Sequence, residues 1–208
     1  KSWNMMHMKL DPRDQRLHAA VSHFVYGPTT HYSDDLGKTW TQAKQVPLIT
    51  RPSKSGRPAS TVDEAFRSEG GEDIKDKPEK MIQVWNITPG RASEPNVLYA
   101  GAQPASLYIS KDRGETWELN ETLFDHPHRG QWNPGAGGLC LHTIVLDPTN
   151  EKRMYIAVSA AGCYRTDDGG QTWHPFNKNV RADFMSDKFP EFGQCVHKMT
   201  MHPSDPNM

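Results

Sequence analysis

The chain has 208 residues, only 35 % of them hydrophobic, with 16 Gly, 16 Pro and a mean hydropathy of −0.77; this argues against a compact helical protein and for many short strands and turns. The 24 basic and 25 acidic side chains leave a net charge of −1, so no polyanion-binding surface is implied and nucleic acid is a poor partner. No apolar run approaches the ~18 residues of a membrane span.

Along the chain, a first series runs from the turn marker Leu10-Asp11-Pro12 through the β-type run Arg16-Leu17-His18-Ala19-Ala20-Val21-Ser22. It ends in the phrase Ser33-Asp34-Asp35-Leu36-Gly37-Lys38-Thr39-Trp40. A long connection follows. The charged stretch from Glu69 to Lys80 predicts a solvated insertion over 47–80, with a helical turn at 61–67. The series then returns as Thr88-Pro89-Gly90, Asn96-Val97-Leu98-Tyr99-Ala100-Gly101 and Ser110-Lys111-Asp112-Arg113-Gly114-Glu115-Thr116-Trp117. It returns again as Asp147-Pro148-Thr149, Arg153-Met154-Tyr155-Ile156-Ala157-Val158-Ser159 and Thr166-Asp167-Asp168-Gly169-Gly170-Gln171-Thr172-Trp173. His202-Pro203-Ser204 marks a further turn of the same kind.

The shared phrase is [ST]-x-D-x-G-x-T-W, an Asp box. Chance does not produce it three times in 208 residues. Its chemistry is that of a hairpin. The aspartate accepts hydrogen bonds from nearby backbone N–H groups, glycine supplies positive φ, and Thr-Trp starts a strand with an indole available to the neighbouring sheet. The aspartates Asp35, Asp112 and Asp168 are therefore read as staples rather than as catalysts or calcium ligands. Small residues in the runs before each box mark close approach between sheets.

Each unit reads as strand, turn, strand, short connection, strand, Asp-box turn, strand. Such a four-stranded antiparallel meander cannot bury both faces alone and stacks on its neighbours as a propeller blade. The fold class is thus all-β, a β-propeller with about three and a fraction blades, over about 1–46, 81–124 and 139–178, with the start of a fourth at 193–208. Three units and an opening do not close a ring. The sequence reads as a fragment whose first partners are the remaining blades of the same chain.

Function is expected in the connections between blades. The second holds Asp125-His126-Pro127-His128-Arg129-Gly130-Gln131-Trp132, followed by a glycine-rich stretch. His126, His128, Arg129 and Trp132 together suit a sugar or a carboxylate. The third connection adds Arg181. Cys140-x-His142 and Cys195-x-His197 stand at equal distances before Pro148 and Pro203, which places His142 and His197 on one face of equivalent inner strands. His7 stands one residue nearer its proline and faces the other way unless a bulge intervenes. No metal site or cofactor is implied by spacing. Three widely spaced cysteines, Cys140, Cys163 and Cys195, read as reduced buried thiols, which leans towards a cytoplasmic location.

The boxes resemble those of bacterial sialidases, sortilin-type propellers and BNR-repeat proteins. Segments such as Gly137-Gly138-Leu139-Cys140-Leu141-His142-Thr143-Ile144 and Pro190-Glu191-Phe192-Gly193-Gln194-Cys195-Val196-His197-Lys198 extend the resemblance to a bacterial family of WD40/YVTN/BNR-like repeat proteins, often labelled exo-α-sialidase or glycosyl hydrolase. The resemblance implies a ligand mouth built from inner strands and inter-blade connections, with the boxes on the rim away from it. A binding propeller for a glycan, small molecule or protein is the first expectation. A sialidase-like glycoside hydrolase is the second, with Arg51, Arg57, Arg67, Arg129, Arg181, Asp63, Glu64, Asp125, Asp183 and Glu191 available in the loops but no catalytic set assignable. A partner-binding assembly factor is the third.

Overall fold

A computed structural model describes residues 3–56, 58, 61, 79–202 and 205. They form three four-stranded antiparallel sheets, each a simple meander. The first contains β1 (Asn4–Leu10), β2 (Leu17–His23), β3 (Gly27–Ser33) and β4 (Thr41–Gln42). The second contains β5 (Gln83–Pro89), β6 (Leu98–Gln103), β7 (Ser106–Ser110) and β8 (Glu118–Leu119). The third contains β9 (Cys140–Leu146), β10 (Met154–Ser159), β11 (Gly162–Thr166) and β12 (His174–Pro175). A four-residue helix, α1 (Glu121–Phe124), begins the second connection. The helical turn expected at 61–67 lies, Thr61 apart, outside the described residues, as do Arg57, Asp63, Glu64 and Arg67. None of the described helices is long and apolar enough to cross a membrane.

The sheets stand side by side. The first strand of each meets the first strand of the next, β1 against β5 and β5 against β9. One apolar layer, with Ala20, Val84, Ile87, Leu98 and Tyr108, lies between the first two sheets. A second, with Leu107, Leu141, Ile156, Tyr164 and Trp173, lies between the second and third. The small residues in the inner strands are explained by this stacking. A Cβ on Gly101 would stand 2.5 Å from both the carbonyl oxygen and Cδ2 of Leu141, so no larger residue fits where β6 meets β9.

Each Asp box closes on itself by the same bonds. Ser33 Oγ donates to Asp35 Oδ1 at 2.7 Å and accepts from Gly37 N at 2.8 Å. Thr39 N and Oγ1 donate to the two carboxylate oxygens of Asp35 at 2.8 and 2.6 Å. Ser110, Asp112, Gly114 and Thr116 repeat this set, as do Thr166, Asp168, Gly170 and Thr172. The turn needs two consecutive left-handed residues, Leu36 at φ 57° and Gly37 at φ 90° in the first copy. The last strand of each sheet starts one residue after the Trp rather than at Thr-Trp, because the threonine N–H is still spent on the carboxylate.

The tryptophans bind sheets together. Trp117 Nε1 donates to Thr30 Oγ1 of the first sheet, and Trp173 Nε1 donates to Asn120 Oδ1 behind the second. Each indole thus leans on the preceding sheet. Trp40 has no such neighbour among the described residues; it is 37 % exposed, against 4 % for Trp117, and lines an open apolar cleft with Trp3, Met5 and Val21. Two arginines extend the same logic from the turns. Arg13 donates to the Glu94 and Val97 carbonyls of the second sheet, and Arg91 donates to the Arg153 carbonyl of the third.

Candidate functional site

The meander sorts the turns into two ends. Asp boxes and Asp-Pro-type turns share one end, while the β2–β3, β6–β7 and β10–β11 tips share the other with the inter-blade connections. The second connection, expected to carry ligand groups, occupies this second end as packed structure. Asn120 caps α1 by accepting from Leu123 N, and also receives the indole of Trp173. A 3₁₀ turn follows over Arg129–Gln131.

Arg129 is fully enclosed. Its guanidinium makes a bidentate pair with Glu79, Nη2 to Oε2 at 2.8 Å, donates to the Ala105 carbonyl, and lies over the Phe124 ring at 4.2 Å. Glu79 is equally enclosed, so this end of the charged insertion is a buried ion pair and not a solvated tail. Sequence spacing carries no signal for a pair 50 positions apart. Trp132 is 2 % exposed and donates Nε1 to Tyr164 OH. His126 Nε2 reaches the Trp173 carbonyl at 3.1 Å, and His128 stacks on Phe192 at 4.1 Å. All four candidate side chains of this loop are engaged in internal packing; Arg129 and Trp132 offer a ligand no surface. Arg181 is exposed and bonds Asp183, away from the others.

His142 and His197, by contrast, do come together. Their rings stack at 4.6 Å, and Thr143 Oγ1 donates to the His197 carbonyl. The reason lies in an irregularity common to the three first strands. In β9, Leu141 and Thr143 pair with consecutive residues of β10, leaving His142 as a bulge. In β5 the bulged residue is Trp85, and in β1 it is Met6. All three stand at the same register, four before the last strand residue. A bulge re-aims the extra side chain out of the pleat, and here the result is a continuous file. Trp85 meets His142 edge-on at 5.2 Å, and His142 stacks on His197. His7 follows the bulge in β1 and turns aside to accept from Ile87 N.

Polar partners flank the file. Trp85 Nε1 donates to Gln103 Oε1 at 3.1 Å, and His142 Nε2 lies 3.0 Å from Ser159 Oγ. Burial, then the nearby His197, lowers the His142 pKa below the ordinary imidazole value, so this ring is neutral at pH 7. Trp85, Gln103 and Ser159 were absent from the sequence expectation. Aligning Gly90 with Asp11 and Asp147 puts Trp85 in register with His142, a signal masked by the displaced proline of that turn.

Next to the file is a cleft of about 450 Å³, walled by Phe184, Met185, Phe192 and Cys195. Cys140 and Cys163 are buried thiols, but Cys195 is exposed, with Sγ 3.3 Å from His197 Nε2. Its segment has no strand pairing among the described residues. No group of three or more His, Cys, Asp or Glu able to hold a metal ion occurs among the described residues.

The family model for the BNR/Asp-box repeat matches residues 31–42, 108–119 and 164–175, the three hairpins described above. An oligoxyloglucan-reducing end-specific xyloglucanase of Emericella nidulans is 26 % identical over 168 residues, which is 79 % of this chain and 16 % of that protein. This chain therefore spans about a sixth of that relative's length. Among solved structures, a GH74 enzyme of Niastella koreensis aligns with 19 % identity over 82 % of this chain and 22 % of its own, with a TM-score of 0.49. A YCF48 structure with a bound D1 peptide aligns with 17 % identity over 75 % of this chain and 49 % of its own, with a TM-score of 0.29.

Proposed function

We propose that this BNR/Asp-box repeat β-propeller chain binds a neutral carbohydrate, of glucan type, on the ring file Trp85–His142–His197. The observation that carries the reading is the file itself: an indole and an imidazole from the bulges of β5 and β9 and the His197 imidazole from the segment beside β9, in contact, half-buried to exposed, at the end where the connections gather. The apolar face of a sugar ring stacks on an indole. Its hydroxyls exchange hydrogen bonds with the imidazoles, while the buried Ser159 and Gln103 side chains hold His142 and Trp85 in place.

Charge disfavours a carboxylate-bearing sugar. The described arginines at this end are committed elsewhere: Arg129 to Glu79, Arg51 to Asp125 and Glu121, and Arg181 to Asp183. Among the described residues, a sialic-acid carboxylate therefore has no free guanidinium to grip it here. Asp125 and Asp183 are engaged by the same pairs, and glycoside hydrolysis needs two carboxylates about 5–10 Å apart across the bond. Binding, rather than cleavage, is what these residues support. The oligoxyloglucan named for the Emericella nidulans relative is consistent with a neutral glucan.

The test is a glycan array followed by titration calorimetry on wild type and Trp85→Ala. Oligoxyloglucans or cello-oligosaccharides are expected to bind, with affinity falling about tenfold or more in the variant, the worth of one good stacking contact. Preference for sialosides, or no glycan bound at all, would overturn the reading.

A further inference from the structure

We infer that the carbohydrate held on the file carries an apolar aglycone, and that the cleft beside the file is the aglycone's subsite. This rests on the file being the sugar site. The link between the two is Cys195. It walls the cleft, and its Sγ lies 3.3 Å from His197 Nε2, whose ring stacks on His142. A sugar lying on the rings places its next group at the mouth of the cleft.

The lining decides what that group is. Among the described residues no charged side chain borders the cleft, so an ionic group entering it would lose water without gaining a partner. Apart from the Gln131 and Asn133 amides, the walls are apolar, with Phe184, Met185 and Phe192 the largest of them. A further sugar would leave most of its hydroxyls unsatisfied there, whereas an aryl or short alkyl group replaces water against aromatic and thioether surface. The volume of about 450 Å³ accommodates a group of that size. The ligand class is therefore an aryl or alkyl glycoside.

Cys195 also provides the reporter. Cys140 and Cys163 are buried, and burial pushes their thiols up to about 12 and about 11. Burial raises the Cys195 thiol too, but it is the exposed one of the three, so iodoacetamide is expected to mark Cys195 alone.

The experiment compares methyl β-cellobioside with 4-nitrophenyl β-cellobioside on the 208-residue chain, by calorimetry and by the rate of Cys195 alkylation read by mass spectrometry. The aryl glycoside is expected to bind about tenfold tighter and to slow alkylation, while the methyl glycoside slows it less. Phe184→Ala, at a side chain 66 % exposed and outside the core, removes the difference without unfolding the chain. Trp85→Ala weakens both glycosides equally. Equal affinity of the two glycosides, or Cys195 alkylated at the same rate with and without the aryl compound, overturns the cleft assignment and leaves the sugar site standing. Unchanged binding of both in Trp85→Ala overturns the sugar site, and the Phe184→Ala comparison then judges the cleft alone. No binding of either glycoside overturns both.

Discussion

The two ends of the sheets are built on opposite principles. At the Asp-box end each box closes on itself within a few residues, and the same bonds recur at Asp35, Asp112 and Asp168. At the other end the partners are far apart in sequence and nothing repeats exactly: Arg129 reaches back 50 positions to Glu79, and Arg51 reaches forward 74 to Asp125. Local closure gives a hairpin that forms wherever its phrase is written. Long-range closure gives a loop whose shape depends on the whole assembly. The difference teaches where variation is tolerated, and where a ligand surface can be built without loss of the fold.

The largest expected effect probes the second principle. Arg129→Ala leaves Glu79 enclosed without its counter-charge, and loss of one member of a buried pair costs about 3–5 kcal/mol. Urea denaturation is expected to show this loss, with the double variant Arg129→Met/Glu79→Leu recovering most of it. A loss under 1 kcal/mol in the single variant would mean that the loop holds its shape without the pair.

The tryptophans sharpen the contrast within the box end. Trp117→Ala empties a site between two sheets, and such truncations cost about 3–5 kcal/mol. Trp40→Ala occupies the same place in its hairpin but lies against an open cleft, so the same measurement is expected to give less than about 1 kcal/mol. Equal costs would show that the indole serves its own hairpin rather than the neighbouring sheet.

Acid tests the seam between the first two sheets. His18 is 3 % exposed, with its ring so near Gly114 that a Cβ there would stand 3.5 Å from Nδ1, and burial lowers its pKa to about 4 despite the opposing charges of Asp11 and Asp14. The unfolded chain takes up this proton near 6.5, the folded one only near 4. Its contribution to stability is therefore fully present above pH 6.5 and is lost as pH falls towards 4. Between pH 7 and 5 the loss is about 2 kcal/mol. Denaturation of wild type and His18→Gln across that range is expected to show a slope that the variant reduces; parallel slopes would remove His18 from the account.

A modest effect belongs to a single staple. Asp112→Ala removes the acceptor for Thr116 N and Oγ1 at a largely solvent-exposed turn, for a cost of about 1–2 kcal/mol after screening. The Asp35 carboxyl, held down to about 2 first by the Thr39 hydroxyl and then by the Thr39 N–H, is expected to titrate well below ordinary aspartates in NMR. An ordinary value would mean that the staple is open in solution.

Part of the candidate site was legible before the fold was known. The equal offsets of His142 and His197 from their prolines pointed to the pair whose rings meet. Trp85 escaped because its turn is written Pro89-Gly90 where its counterparts read Asp-Pro, which shifts the reference proline by two. The loop residues His126, His128, Arg129 and Trp132 were singled out by chemistry that suits a ligand, and the same chemistry serves internal packing. An arginine and an indole look alike in sequence whether a sugar or Phe124 and Tyr164 take their faces.

By itself, the sequence determined the hairpins, their number and the stacked sheets that follow from them, because the bonds of an Asp box span no more than five consecutive positions and need no partner from elsewhere. Only the tertiary structure decided which side chains face a ligand. That depends on bulges at one shared register and on contacts between residues dozens of positions apart, and neither strand pairing nor burial between distant segments is written in the order of residues along one of them.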